Sequence, residues 1–543
     1  DFPEALVNLG MVRRAQGRMD DSVACFEQAL HLLPAYPDAL NSLGLTLHAM
    51  GRTAEAIARY RDALGLRPDF ADALNNLGLT LHALGDLEAA VSSYRQAVRC
   101  RAGFADALTN LGNALRDMGQ VGEALACHHE ALRAEPGSVA ALNNLGGVLR
   151  EQGRIDEAVA QYRQSLVLRP DYGDALSNLL FALNGLDTLT PEALFEEHRR
   201  LGAELEARAL AGVTCPAHTS HRDPERRLRI GYVSPDFRFH SVSQFLLPLL
   251  AAHDRAAVEI FCYAGVMVPD AMTERLRGHA EHWLTTVGLS DEALAARIRA
   301  DGIDILVDLA GHTAHNRLPV LARRPAPVQV SWLGYPNTTG LRSIGYRFVD
   351  AVTDPGGTAD ALATETLIRL DGGFLCYGPP EEAPEPAPPP CLDRGVVTFG
   401  SFNNLSKLQE STLETWAAQL LRLPRARLLL KGQAFADAGS CALIRERFAR
   451  RGIEGGRIDL VARIPDAAGH LGAYGRIDIA LDSFPYNGTT TTCEALWMGV
   501  PVVTLLGDRH AGRVGASLLG RLGLDELIGR DRDHYQEIAV ALA

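Results

Sequence analysis

Lysine is almost missing from this 543-residue chain: of 53 Lys plus Arg, only Lys407 and Lys431 are lysine. Such a bias toward Arg fits a base-composition pressure under which an interchangeable Lys drifts to Arg. The two that remain are either chance survivors or positions where a compact ammonium is needed and a planar fork will not serve. Acidic residues outnumber basic ones, 66 to 53. The net charge is −13, which argues against a general nucleic-acid binder. No apolar run approaches the roughly 18 residues of a membrane span, so no membrane partner is expected. Nine cysteines lie singly between Cys25 and Cys493 with no C-x-x-C. That weakens both disulfide and zinc-ribbon readings and favours a reducing, cytoplasmic setting. No G-x-G-x-x-G opens a helix after a strand and there is no G-x-x-x-x-G-K-[ST], which disfavours a dinucleotide oxidoreductase and a P-loop NTPase. The only D-x-D is Asp531-Arg532-Asp533, in a polar segment near the C-terminus, so neither metal nor cofactor is expected. The opening "DFPEALVNLG" has no start Met and no signal segment, and it begins inside a repeat. The true N-terminus is therefore left open.

What is present first is a period. Leu-Gly recurs at Leu9-Gly10, Leu43-Gly44, Leu77-Gly78, Leu111-Gly112 and Leu145-Gly146, a step of 34 residues. A second glycine keeps step at Gly17, Gly51, Gly85, Gly119 and Gly153, and an aromatic follows at Phe26, Tyr60, Tyr94 and Tyr162, with His128 in the fourth copy. Pro34, Pro68, Pro136 and Pro170 close their units, with Ala102 in the third. A small residue for close helix approach, a glycine to end the first helix and a proline to stop the second describe a helix–turn–helix repeat. The pattern resembles the tetratricopeptide repeat (TPR), and residues 1–185 are expected to form an α/α TPR superhelix. A partial sixth copy stands at Ser177-Asn178-Leu179-Leu180. Asn8, Asn76, Asn110, Asn144 and Asn178 share one repeat position, where Ser42 is the exception. Stacked amides there form a ladder able to hold an extended peptide backbone; alternatively, each caps or bridges its own helices.

From Leu228 the texture changes. A linker helix (190–210) and a polar connector (214–227) lead into strands at 228–237, 259–264, 303–311 and 328–336. A second set lies at 395–402, 426–432, 458–464, 478–484 and 501–507. Strands alternating with helices indicate parallel sheets. The expected division is a 1–185 repeat array, a 186–227 linker, a 228–378 acceptor-side α/β domain, a 379–392 Pro-rich linker ("PPEEAPEPAPPP" within it) and a 393–543 donor-side α/β domain. Ligands of such sheets bind beyond the carboxyl ends of the strands, so the residues there carry the candidate chemistry.

"DSFPYNGTTTTCEALWMG" places Thr489, Thr490 and Thr491 where a helix begins, and a helix N-terminus with added hydroxyls suits a diphosphate. One capping Thr would be the plainer use of the run. Glu494, a turn into that helix, is placed to accept from a sugar diol. Lys407 follows the first strand of the same half and could reach the same phosphates. His470 follows the third strand and could contact phosphate or nucleoside, or be structural. In the first half, Asp236 and His240 follow the opening strand, and His240 could be a general base or a donor to the diphosphate. His312 is read as an acceptor-side cleft residue and His315 as structural.

Together, "LRIGYVSPDFRFHSV", "RPAPVQVSWLGYPNTTG", "FNNLSK" and "LDSFPYNGTTTTCEALWMGVPVVTL" behind a TPR array resemble the O-linked N-acetylglucosamine transferase and Spindly family, its bacterial members most closely. The resemblance implies a GT-B fold of two Rossmann-like domains, a UDP-sugar donor, inversion at the anomeric carbon and no metal. It implies His240 as the proposed base and Asn404 and Lys407 as nucleotide and diphosphate contacts. It further implies His470 near uridine, Thr489–Thr491 on the diphosphate and Glu494 on the ribose; Ile464 and Pro465 join this UDP-sugar-binding set. The arginine expected three residues after the uridine-side histidine is Ala473 here. The expected activity is transfer of N-acetylglucosamine from UDP-GlcNAc to Ser or Thr of proteins held by the TPR groove. Alternatives are protein O-fucosylation from GDP-fucose, the chemistry of the Spindly branch, and a non-catalytic TPR scaffold with a vestigial transferase half.

Overall fold

A computed structural model describes residues 2–212, 223 and 225–543. Most of the expected connector at 214–227 lies outside the described residues. The chain divides into two compact units, Asp1–Val148 and Leu149–Ala543.

The first unit is built of helix pairs, beginning with Pro3–Ala15 and Met19–Leu32, then Pro37–Ala49 and Thr53–Leu66, Ala71–Ala83 and Leu87–Cys100, and Ala105–Asp117 and Val121–Ala134. The second glycine of each repeat has a positive φ, from 71° at Gly153 to 82° at Gly85, the left-handed turn that ends the first helix of a pair. The first glycine is a socket. A Cβ on Gly44 would stand 2.7 Å from the Tyr60 ring, and one on Gly78 would stand 2.6 Å from Tyr94. The aromatic therefore closes chiefly on the glycine of its own unit, although the Tyr60 hydroxyl also reaches Thr80 in the next. In the fourth unit His128 fills the socket of Gly112, fully buried. Arg67 binds Asp38 and lies over the Phe70 ring at 4.4 Å, and Arg101 repeats this with Asp72 and Phe104. The asparagines do not stand alone: Asn76 donates to the Asn41 amide oxygen and Asn110 to that of Asn75, each at 3.0 Å, so the amides pair between successive repeats.

The second unit opens with helices Ile155–Leu168, Gly173–Leu183 and Pro191–Ala209, the last being the expected linker helix. Two all-parallel sheets follow. The first holds β1 (Leu228–Ser234), β2 (Val258–Ala264), β3 (His282–Thr285), β4 (Ile305–Asp308), β5 (Val328–Ser331), β6 (Tyr346–Val349) and β7 (Thr366–Arg369), in the order β3-β2-β1-β4-β5-β6-β7. The second holds β8 (Thr398–Ser401), β9 (Arg427–Lys431), β10 (Ile458–Val461), β11 (Ile479–Leu481), β12 (Val502–Leu505) and β13 (Ile528–Gly529), in the order β10-β9-β8-β11-β12-β13. Strands β3, β6, β7 and β13 are additions to the sequence reading. β3, β6 and β7 each mix polar with apolar residues, none of the four holds an apolar run longer than two, and β3 is half solvated with an exposed-intermediate pattern. Residues 379–390 form no strand.

Strand order reverses between β1 and β4 in one sheet and between β8 and β11 in the other. The loops leaving those four strands splay apart and open a crevice at each switch point.

Candidate active site

At the first switch point, β1 runs into Ser234-Pro235-Asp236 and on to the helix Ser241–Ala252, whose N-cap is His240. The backbone N–H of Val242 donates to His240 Nδ1 at 3.3 Å, and Asp236 Oδ2 lies 3.7 Å from the same nitrogen. Burial lowers the His240 pKa, with Asp236 opposing and Arg238 adding to the shift. A neutral ring whose Nδ1 accepts carries its proton on Nε2. The Asp236 side chain is only 10% exposed; the His240 ring stands 3.7 Å away and the Arg238 guanidinium 3.8 Å. β4 ends in Asp308, which accepts the N–H groups of Ala310 and Gly311 and so shapes the turn before His312. His312 is buried, and its Nε2 donates to the Thr339 carbonyl at 2.7 Å. Burial pushes its pKa down to about 4.

At the second switch point, β11 is followed by Asp482, which is buried and accepts four groups. These are the N–H groups of Ser483 and Gly488, the Asn403 amide and the Thr504 hydroxyl. They hold the Asn487-Gly488 turn against the loop after β8. Thr491 donates its hydroxyl to Asn403 Oδ1 at 2.8 Å. The helix Thr490–Trp497 then begins with no side-chain cap at Thr489. Its first N–H groups are thus left to whatever enters the crevice. Lys407 donates to the Asn487 carbonyl at 2.7 Å, with its ammonium 4.1 Å from the Tyr486 ring centroid. Burial lowers its pKa to about 8 against the pull of Asp482.

Two cavities share this region. The larger, about 770 Å³, is lined by Asn404, Ile464, Pro465, His470, Thr490 and Glu494, with His240 on the opposite wall. The smaller, about 430 Å³, is lined by Asp236, His240, His312 and Asn178, with Arg150 and Phe181. His240 belongs to both. Lys407, Thr489 and Thr491 line neither: Lys407 and Thr491 brace the turn behind the helix start. Ala473 is buried and adds no donor. Glu494 Oε2 accepts from His470 Nε2 at 2.9 Å and from the Tyr474 hydroxyl at 3.0 Å.

Several lining residues escaped the sequence reading of the site. Lys431, at the end of β9, and Phe402, Gln433 and Arg463 line the larger cleft, and Glu382 enters it from the Pro-rich linker. Lys431 had a signal in the rarity of lysine, and Asp482 had one in its place at a strand end. Asp531, half of the D-x-D pair, caps the helix Arg532–Leu542. Among the described residues no cluster of three or more His, Cys, Asp or Glu could hold a metal ion.

Comparison with known proteins follows the same division. Tetratricopeptide-repeat models match residues 1–69, 47–103 and 109–173. The SPINDLY proteins of Petunia hybrida and Arabidopsis thaliana are each 44% identical, over 372 and 375 residues. Each alignment takes in 67% of this chain but only 39% and 40% of the relative, so the chain spans about two fifths of the curated relatives it matches. A solved O-GlcNAc transferase variant from Thermobaculum terrenum superposes with a TM-score of 0.82 at 39% identity, covering 87% of this chain and 89% of that one. The model for glycosyl transferase family 41 matches residues 196–376 and 391–543, more than half the sequence: the chain is a TPR-bearing member of glycosyl transferase family 41.

Proposed function

We propose that this protein is an inverting, metal-independent transferase that moves N-acetylglucosamine from UDP-GlcNAc to a Ser or Thr hydroxyl of a protein acceptor. One observation carries the reading: a single histidine, His240, lines both a cleft suited to a nucleoside diphosphate and a second, smaller cavity. The name of the Thermobaculum relative, O-GlcNAc transferase, supports it. In this reading, residues 393–543 hold the donor and 228–378 present the acceptor side. The uncapped helix start faces the diphosphate at Thr490, with Thr489 and Thr491 on either side of it, Asn404, Ile464, Pro465 and His470 flank the nucleoside, and Glu494 takes the ribose. The asparagines of the repeat array, Asn8, Asn76, Asn110, Asn144 and Asn178, hold the acceptor backbone, with Asn76 and Asn110 braced by the amides of Asn41 and Asn75. A cytoplasmic setting and a bacterial type of member complete the proposal, resting on the scattered cysteines and the short Pro-rich linker. Among the described residues no helix is long and apolar enough to cross a membrane.

The transfer forms a bond from the acceptor oxygen to the anomeric carbon as the bond from that carbon to the diphosphate oxygen breaks. Negative charge grows on the leaving diphosphate, where preorganised donors act most strongly. With Nδ1 occupied by the Val242 N–H, His240 offers Nε2–H, which suits donation to that charge. Asp236, the carboxylate lining the smaller cavity, is then the group placed to take the hydroxyl proton. Lys407 supplies a fixed positive charge behind the helix start.

Calorimetric titration of the intact protein with UDP and UDP-GlcNAc, paired with a sugar-transfer assay, tests the proposal; absence of binding to both ligands sinks it. A second reading, a GDP-sugar donor, stays open because Ala473 supplies no guanidinium at its own position. Competition between UDP and GDP separates the two.

A further inference from the structure

Lys431 has no place in the reading above, yet it is one of two lysines in the chain and it lines the donor cleft. It is 4% exposed, at the carboxyl end of β9, and its ammonium sits 5.0 Å from the Phe402 ring centroid. A buried ammonium ordinarily finds a carboxylate, but this one meets the His470 ring nitrogen Nδ1 instead. Beyond that imidazole, Nε2 reaches Glu494 Oε2 at 2.9 Å, and the Tyr474 hydroxyl reaches the same oxygen at 3.0 Å.

The chemistry of these groups sets a direction. An ammonium has three N–H donors and no acceptor, so the nitrogen facing it must present its lone pair. The neutral imidazole proton then lies on Nε2, where it donates to the carboxylate. Two donors converge on Glu494 Oε2, which fixes the plane of the carboxylate and leaves Oε1 to a ligand hydroxyl. Remove the ammonium and the ring is free to carry its proton on Nδ1. Nε2 would then face the carboxylate lone pair to lone pair, and Glu494 would have to turn.

We propose that Lys431 is the positioning residue of the donor cleft: by fixing His470 as an Nε2–H donor it holds the Glu494 carboxylate ready for the ribose diol of the donor nucleotide. This rests on the nucleotide reading of the cleft, but its first half does not need a nucleotide. Burial lowers the lysine pKa to about 8, while Glu494 pulls it upward and Arg463 pushes it further down. The residue is therefore held charged at neutral pH by the chain it organises.

The test has two arms, both on the full chain. Without ligand, nitrogen-15 spectra of histidine-labelled protein, with His470→Gln to assign the signal, report the His470 tautomer. The Nε2–H form is expected in the parent and is expected to be lost in Lys431→Met. It should be kept in Lys431→Gln, whose amide N–H still donates to Nδ1. An Nδ1–H ring in the parent overturns the proposal, whether or not any variant folds. With ligand, calorimetry compares UDP with 2′,3′-dideoxy-UDP. The parent should prefer UDP by about tenfold or more, and Lys431→Met should reduce the preference to about twofold or less. Lys431→Gln should retain most of it, and Lys431→Met/Glu494→Gln should lose no more preference than either single variant. A preference intact in Lys431→Met, additive losses, or equal loss in the Met and Gln variants overturns the positioning role. A parent that binds no nucleoside diphosphate fails the functional reading instead, and the tautomer arm still judges the Lys–His–Glu chain.

Discussion

The two α/β halves solve the same problem with the same residue and then part company. Each ends or follows its switch-point strand with a buried aspartate, Asp308 at the end of β4 and Asp482 just after β11, and burial pushes both carboxyls up to about 6. Each spends its oxygens on loop N–H groups: Ala310 and Gly311 in one case, Ser483 and Gly488 in the other. In the first half the loop is then tied to other segments, with the His312 Nε2–H on the Thr339 carbonyl and Nδ1 within 3.4 Å of the Ser177 hydroxyl. In the second half the loop stays open, leading into a helix start that no side chain caps. The first arrangement builds a shaped wall. The second leaves N–H groups for an anion.

If that contrast is right, the largest effect belongs to the residue the two sides share. His240→Ala should lower turnover by about 10²–10⁴ with folding intact. UDP affinity, measured by titration on the same preparation, should fall with it, as a donor to the diphosphate requires. An unchanged affinity would return His240 to the role of base, and unchanged turnover would remove it from the site.

On the open side, Lys407→Ala should lower the transfer rate by about 10²–10³ by removing a point charge behind the leaving group. Lys407→Arg should recover little, because a planar fork cannot occupy the place between the Asn487 carbonyl and the Tyr486 ring. Full activity in the arginine variant would show that lysine is not required there.

The paired aspartates sharpen the comparison further. Asp308→Ala and Asp482→Ala should each cost about 2–4 kcal/mol of stability, since each strands several buried donors. Only Asp482→Ala should also weaken UDP binding. Thermal unfolding and titration of both variants check this, and equal loss of nucleotide affinity in the two would erase the distinction between wall and anion site.

The smallest effect lies in the repeats. His128 is fully buried, and neither ring nitrogen has a hydrogen-bond partner. Burial pushes its pKa down to about 3, with Arg116 and His129 adding. The unfolded chain therefore takes up a proton near pH 6.5 that the folded chain refuses until about pH 3. Stability is complete above pH 6.5 and declines as pH falls through that window, by about 2 kcal/mol at pH 5 from this residue. His128→Phe should remove that share of the acid sensitivity, read as a smaller drop in Tm between pH 7 and pH 5.

Much of this was legible in the sequence because the information is local. The 34-residue period, the strand–helix alternation and the strand-end residues Asp236, His240, Asn404, Thr490 and Glu494 each sit within a few positions of the signal that marks them. Residues whose roles depend on sheet order were harder to read. Lys431, His470 and Glu494 lie on three separate segments, at the end of β9 and after β10 and β11, and only the order β10-β9-β8-β11 brings them together. Lys407 was read as reaching the phosphates, but a backbone carbonyl and an aromatic face hold it behind the turn, contacts that no spacing rule reveals. Strands β3, β6 and β7 mix polar with apolar residues, and no apolar run longer than two marks any of them or β13.

The glycine socket has a consequence for how such arrays change in length. Because each ring closes chiefly on the glycine of its own repeat, the hardest packing problem is solved inside a 34-residue cassette. What joins one cassette to the next is a continuous apolar core that runs through the units, with amide pairs beside it. Gain or loss of a whole unit therefore leaves every remaining socket filled, whereas one methyl group on Gly44 or Gly78 would collide with a ring that has nowhere to go. Variation in this part of the molecule should come in whole repeats far more readily than in single core residues.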